Sequence, residues 1–437
     1  MSQNLFEKRP LANSIRAILL GGGTIAIVAG AQVATASDVN SLGARPQSND
    51  ADPAFVETVG YDPIGIKIPA SETVVTVGGY VKGTANFDDS SDLGDSFIVS
   101  SIPADGTAED DEDGHFRLHA RQSRLAVRST TELEGGTTLK THFEGDFFGG
   151  GGNESFSNST GFRLRHAYAT YGAWTIGQTW TNFMDFVAYP GTVDFFGPAG
   201  KSFIRQSQVR YTMSNGLSFS IENPETDGGG ALGRLRESTG GLGEDRLPDL
   251  TAAWRGGPGG IGGSYELAAV VRFLGVNGEN VVLDDDGEVI SSLAVDEDET
   301  GVGINLAGGW EFGPATLSAS VTFGDGIGRY LINGAGNDVF VNADGSVDTV
   351  ESLGSTLNLK YDWNGSSSSL ISFGHFENDD PDSSNGIDNL QTVHLNYIFS
   401  PYPRSTFGVE LIQGFLESAD GTDGDATRLA FGAQLNF

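Results

Sequence analysis

The run LKTHFEGDF at residues 139–147 alternates without a break: Leu139, Thr141, Phe143, Gly145 and Phe147 share one parity, Lys140, His142, Glu144 and Asp146 the other. Side chains of an extended chain point alternately to opposite sides, so the stretch reads as a strand with a largely apolar face and an ionic one. A strand of a soluble sandwich shows the same alternation. The fold is therefore decided by how often the pattern recurs and how its copies are joined.

It recurs sixteen times from Thr73 to the last residue. The first eight runs cover 73–87, 115–131, 137–148, 161–171, 174–180, 202–213, 216–223 and 248–255. The second eight cover 261–274, 300–312, 315–324, 352–363, 369–377, 389–399, 404–416 and 426–437. Linkers after odd-numbered runs are long or irregular and mostly acidic, whereas those after even-numbered runs are tight, such as Gly172-Ala173, Ser214-Asn215 and Gly313-Pro314. Long connections on one side and short ones on the other are the signature of an up-and-down membrane barrel with both chain ends in the periplasm. A sandwich with Greek-key crossings has no reason to obey it.

Composition agrees. The 437 residues include 63 Gly and no Cys, and 38% are hydrophobic. Nothing after Ala36 approaches the roughly 18 consecutive apolar residues of a spanning helix, so a membrane position requires a closed sheet. All fifteen prolines fall before, between or at the edges of the runs, as a hydrogen-bonded sheet demands. Trp174, Trp254, Trp310 and Trp363 lie within a few residues of a tight turn, the place of an interfacial aromatic girdle. Phe437 ends an alternating last run, Leu429, Phe431, Ala433, Leu435, Phe437, the kind of signal that barrel assembly machinery reads.

The chain divides into three parts. Residues 1–36 form a signal peptide: Lys8, Arg9 and Arg16 precede an apolar stretch from Ala17 to Ala31, and Ala34-Thr35-Ala36 fits a cleavage site. Residues 37–72 are a periplasmic leader whose four prolines exclude a long helix. Residues 73–437 form the barrel. The expected fold is thus all-β, a sixteen-stranded antiparallel transmembrane β-barrel in a Gram-negative outer membrane, in contact with its lipid.

A net charge of -33 excludes nucleic acid as a partner. The charge is segregated. Acids crowd long linkers, as at Glu109–Asp113, Asp284–Glu288, Asp296–Glu299 and Asp379–Asp382, while basic residues sit within runs, among them Arg121, Arg124, Arg128, Lys140, Arg163, Arg165, Arg205 and Arg210. Arginine facing lipid at the midplane costs about 2–4 kcal/mol, so most of these are expected to point into the lumen. In the second run the apolar parity switches between Leu118 and Leu125, which predicts a bulge near Gln122 or Ser123 that turns both Arg121 and Arg124 inward. The linker TNFMDFVAYPGTVDFFGPAG (181–200) carries only Asp185 and Asp194 as charges. Its aromatic, Gly- and Pro-punctuated composition suits an inward-folded constriction loop after strand 5 better than a surface loop.

Arginines at a constriction favour anionic solutes; the competing reading pairs them with Glu144, Asp146, Asp185 or Glu222 as wall braces. No cofactor is expected. The acidic linkers read as solvated loops ahead of loosely bound Ca2+ or Mg2+, and the one EF-hand-like start, at Glu109, has Ala120 where the closing glutamate belongs. His119, His142, His166 and His394 are isolated on runs, and no catalytic motif occurs.

The segments VGGYVKGTANFD (77–88), ARQSRLAVRSTT (120–131), FRLRHAYATYGAWTIGQTWTNF (162–183), SFIRQSQVRYT (202–212), GLSFSIENPE (216–225) and DATRLAFGAQLNF (425–437) resemble the DcaP-like group of outer-membrane porins. The resemblance implies a homotrimer, an inward loop, and constriction arginines that bind small carboxylates. Arg121 and Arg124 fall in the matching ARQSR, Arg163 and Arg165 in FRLRHAY. Members with a coiled-coil extension differ from this chain, whose leader lacks heptads. The sequence thus points to a porin for small hydrophilic, anionic solutes. The alternative from another class is a structural or adhesion barrel with an occluded lumen, and an outer-membrane hydrolase ranks third.

Overall fold

The computed structural model describes residues 65–110, 114–230, 245–283, 289–331, 336–342, 344–379, 387–419 and 421–437, all within one compact unit, Asp52–Phe437. The signal peptide, the leader up to residue 64 and the acidic stretches at 111–113, 284–288 and 380–382 lie outside the described residues.

Sixteen strands make the wall. The first half is β1 (Thr73–Asp88), β2 in two pieces (His115–His119 and Arg124–Glu132), β3 (Thr138–Asn153), β4 (Ser159–Tyr171), β5 (Trp174–Trp180), β6 (Arg205–Thr212), β7 (Leu217–Glu222) and β8 (Asp249–Gly256). The second half is β9 (Ser264–Leu283), β10 (Val289–Phe312), β11 (Ala315–Asp325), β12 (Glu351–Asn364), β13 (Ser367–Asp379), β14 (Ile387–Phe399), β15 (Ser405–Ser418) and β16 (Asp423–Asn436). Each pairs antiparallel with the next, and β16 returns to β1 from Tyr80↔Asn436 to Asp88↔Arg428, closing the ring. Two departures from the expected spans concern length. The β9–β10 pair runs on through Leu283 and Val289, beyond the apolar segment that marked it. Part of the leader also joins the wall: Gly65–Lys67 pairs antiparallel with Val74–Thr76 through a hairpin at Ala70, whose φ is 60°.

Parity behaves as a membrane barrel requires. On β1, Val77, Val81 and Phe87 are exposed, while Lys82, Thr84, Asn86 and Asp88 are buried inside. On β12, Leu357, Leu359 and Tyr361 alternate with buried Thr356 and Asn358 in the same way. The girdle tryptophans pair with tyrosines at the tight-turn end, Trp174 with Tyr211 at 4.9 Å and Trp363 with Tyr361 at 4.6 Å between ring centroids.

Among the described residues, three connections fold inward where only one was expected. The first, 89–110, packs Leu93, Phe97, Val99 and Ile102 against inward Leu390, Ile412, Leu416 and Ala426. The second, 181–204, inserts Phe183 beside Ala253, Ala268 and Val270 and runs on to Val193, which packs against Ala430. The third, between β11 and β12, brings Ile327 and Tyr330 to the Phe183 cluster. Its Val339–Val341 and Val347–Thr349 form a small sheet with Gly228–Gly230. The acids at the end of the first linker masked the apolar residues that precede them, so it reads as external from sequence.

Wall glycines admit these inserts. Gly354 and Gly374 face inward on β12 and β13, and a Cβ on either would overlap the backbone of Gly200 or Ala199. Gly200 itself adopts φ +74° there, a conformation that favours glycine.

Leu357 tests the outward assignment. Leu357→Arg should lower the stability of the lipid-reconstituted barrel by about 2–4 kcal/mol, measured by equilibrium denaturant titration; an unchanged midpoint would remove β12's outer face from hydrocarbon.

Candidate functional site

Two breaks in register bring the basic residues of β2 and β4 to one place. β2 is interrupted between His119 and Arg124 by a turn in which the Ser123 amide donates to Ala120 O at 3.0 Å. Below the turn, Arg124 is buried inside while Leu125 and Val127 face out. On β4, Glu144 of β3 pairs with His166 but Gly145 with Leu164, which leaves Arg165 as the extra residue of a bulge. Arg165 and His166 consequently both point inward and are buried. The second bulge also has a sequence signal, the shift of outward parity from Phe162 and Leu164 to Ala167 and Ala169.

These residues surround two acids. Arg163 grips Asp146 with two hydrogen bonds, 3.0 and 2.7 Å, and fully buried Arg165 reaches Glu144 at 2.9 Å and Asp146 at 3.2 Å. Arg124 and Arg128 lie 3.8 and 3.9 Å from Glu144. Arg163 and Arg165 also lie over aromatic rings. Phe148 and Phe195 stack at 4.7 Å, and the Cζ of Arg163 lies 5.2 and 5.4 Å from their centroids. Arg165 lies 5.6 Å from Phe195 and 5.7 Å from Trp180. Arg205 follows, 4.6 Å from Trp180 and 5.3 Å from Phe203. The result is a ladder of alternating cations and rings along β3–β6, stabilised by ring quadrupoles as well as by the acids.

The charges do not cancel. Among the described residues, Arg124, Arg128, Arg163, Arg165 and Arg205 gather around Glu144 and Asp146, five cations against two anions. Arg205 forms no ion pair among the described residues, and its buried Nη1 has no hydrogen-bond partner there. Phe195, Tyr189 and Lys201 come from the inserted segment. Burial lowers the Lys201 ammonium to about 7 and raises the Tyr189 phenol to about 12. Lys201 donates to Tyr189 Oη at 3.2 Å and to the Phe196 carbonyl.

The other expected site residues go elsewhere. Arg121 joins Arg117, Asp92, Asp95 and Glu154 in a separate network, binding Glu154 at 2.8 Å. Lys140 is exposed near the β2–β3 turn. Arg210 is buried, donating to Gln208 Oε1 at 2.8 Å and to the Trp180 carbonyl. Asp185 accepts from the Ala188 amide at 3.0 Å, and burial raises its carboxyl above the usual range. Asp194 accepts from Phe97 N at 2.9 Å and lies 3.7 Å from Arg428. Arg205 was expected as a lumenal base but not as a constriction residue, because a lone arginine at a strand start carries no motif. Its importance comes from Trp180 and Phe203, which reach it from other elements. His142 and His166, isolated in sequence, stack at 5.6 Å beside the ladder.

Residues 64–218, the span that holds the whole ladder, match the family model described as DcaP outer membrane protein. The chain resembles the DcaP outer-membrane proteins. The crystal structure of the outer membrane channel DcaP of Acinetobacter baumannii superposes with a TM-score of 0.71 at 25% identity, covering 85% of this chain and 99% of that one. Outer-membrane expressed OmpT of Vibrio cholerae shares the fold, with a TM-score of 0.52 at 12% identity over 85% of this chain and 99% of that one. No curated protein matches the chain. With its closed sixteen-stranded wall, this DcaP-like chain is a porin-type barrel of the Gram-negative outer membrane.

The two arginine classes in the ladder should separate in stability. Arg165→Ala takes one partner from each of two buried carboxylates, Glu144 and Asp146, and should cost about 1.5–3 kcal/mol. Arg205→Ala, losing ring contacts alone, should cost about 1 kcal/mol. Urea unfolding of the folded barrel in detergent measures both; equal losses would contradict the pairing described.

Proposed function

We propose that this barrel is a passive diffusion channel for small hydrophilic solutes that favours anions, carboxylates in particular. The observation that carries the reading is the excess of guanidinium charge in the ladder, with Arg205 lacking an acidic partner among the described residues. A carboxylate matches the paired N–H groups of a guanidinium in geometry and charge. In a lumen walled by low-dielectric sheet, uncompensated cations raise the local anion concentration.

The inserted segment, which supplies Phe195 to the ladder, acts in this reading as the constriction. Arg121 and the acids around it stand apart from the ladder and serve solute entry, and Arg210 braces the strand ends. The acidic linkers are read as solvated. We also propose a homotrimer, as the resemblance to DcaP-like porins implies. Gln178 and Ser207, paired in register on the outward faces of β5 and β6, are polar among apolar neighbours. Cover by a second copy suits them better than lipid.

Planar-bilayer recording of the purified protein tests the channel. Stepwise currents with an anion-selective reversal potential are expected under a salt gradient. Arg124→Gln combined with Arg205→Gln should lower the anion-to-cation permeability ratio several-fold. Absence of any step would favour the occluded structural barrel, to which the three inward connections lend weight; an unmoved ratio would remove the anion preference alone.

A further inference from the structure

The tip of the inserted segment, Val193–Phe195, is held by residues of β1, β14, β15 and β16 as well as by the ladder. Glu410, wholly buried on β15, accepts the amides of Val193 at 2.7 Å and Asp194 at 3.3 Å. The same carboxylate accepts Asn396 Nδ2 at 3.0 Å and lies 3.1 Å from His394 Nδ1. Lys82 of β1 donates to the Val193 carbonyl at 2.8 Å and to Gln122 Oε1 at 2.6 Å. Arg428 of β16 pairs with Asp88 at 2.6 and 2.8 Å and stands 3.7 Å from Asp194. Amides buried in a loop need acceptors from elsewhere. A carboxylate that takes two consecutive amides sets both the position and the rotation of that peptide. The next residue along is Phe195, the ring shared by Arg163 and Arg165.

We infer that Glu410 is a positioning residue for ion selectivity: by holding the Val193 and Asp194 amides it keeps Phe195 stacked against Arg163 and Arg165. This rests on the anion-channel reading above. The guanidiniums are set from β3–β5, but the ring that fixes their orientation is set from β15. Removing Glu410 has two effects of opposite sign. Loss of its negative charge alone would raise the preference for anions. Release of the segment would open the lumen, free the guanidiniums from Phe195 and lower that preference. The inference requires the second effect to win.

The test is bilayer conductance and reversal potential for the full chain carrying Glu410→Gln or Glu410→Ala, with Glu417→Gln as a charge-matched control on the same strand. Both Glu410 variants should raise single-channel conductance roughly two-fold and lower the anion-to-cation ratio, with Glu417→Gln unchanged. A ratio that rises at constant conductance would make Glu410 a plain charge and overturn the inference. So would no change at all, or an equal change in the control. If a Glu410 variant does not fold, Lys82→Gln releases the Val193 carbonyl instead and must also raise conductance. A parent protein that conducts without anion preference would sink the anion reading, and with it the selectivity role. A conductance rise in the variants would then still show that Glu410 holds the segment.

Discussion

Every backbone N–H and C=O in the wall must find a partner within the chain, because hydrocarbon offers none. That requirement fixes most of the structure. It forces β16 back onto β1 and keeps proline out of the strands. Because the register has a period of two, it also commits each strand to one apolar face and one lumenal face. The apolar face meets lipid, so the polar face has to be satisfied inside. Charge segregation in this chain is therefore a consequence of closure: acids that would be costly in the wall move to the linkers, and those that remain find partners inside, Asp146 with arginines and Glu410 with His394 and Asn396.

The interior then faces its own accounting. Inserted segments carry backbone groups with no strand partner into the lumen, and the wall supplies the partners. Asn358 donates to Ala188 O at 2.7 Å, Thr392 accepts the Ala199 amide at 2.9 Å, and Arg255 donates to the carbonyls of Asn182 and Met184 at 2.9 and 3.0 Å. Where the backbones must come closer still, the wall residue is glycine, as at Gly354 and Gly374. Lumenal Asn, Thr and Gly thus read as generic strand residues until the insert that meets them is known.

This explains which parts were legible in the sequence. Alternation, turn length and tryptophan placement are local or periodic signals, and they identified all sixteen strands and the break in β2. The bulge at Arg165 leaves a similar parity shift, but past the break only the small side chains of Ala167 and Ala169 mark it. The inward course of 89–110 was obscured because its four apolar anchors precede an acidic run. The extra β9–β10 length was obscured because strands clear of the membrane need no apolar face. Within the site, Arg124, Arg163 and Arg165 follow from position on their strands. Their neighbours Phe195 and Trp180, and the hold of Glu410 on the segment, depend on contacts between elements far apart in sequence, which no window of residues contains.

Pairing with acids and attraction of anions need not compete. A buried guanidinium without a partner carries a large desolvation cost, and a long side chain left loose blurs its charge over many rotamers. Glu144 and Asp146 remove that cost for Arg163 and Arg165 and hold them against Phe195. Among the described residues two acids stand against five guanidiniums, and on the anion-channel reading the surplus is carried by side chains such as Arg205 that rings already hold. A solute anion meeting this wall would therefore lose less entropy in its contacts than it would with flexible surface arginines. On the anion-channel reading proposed above, the brace is what makes the charge usable.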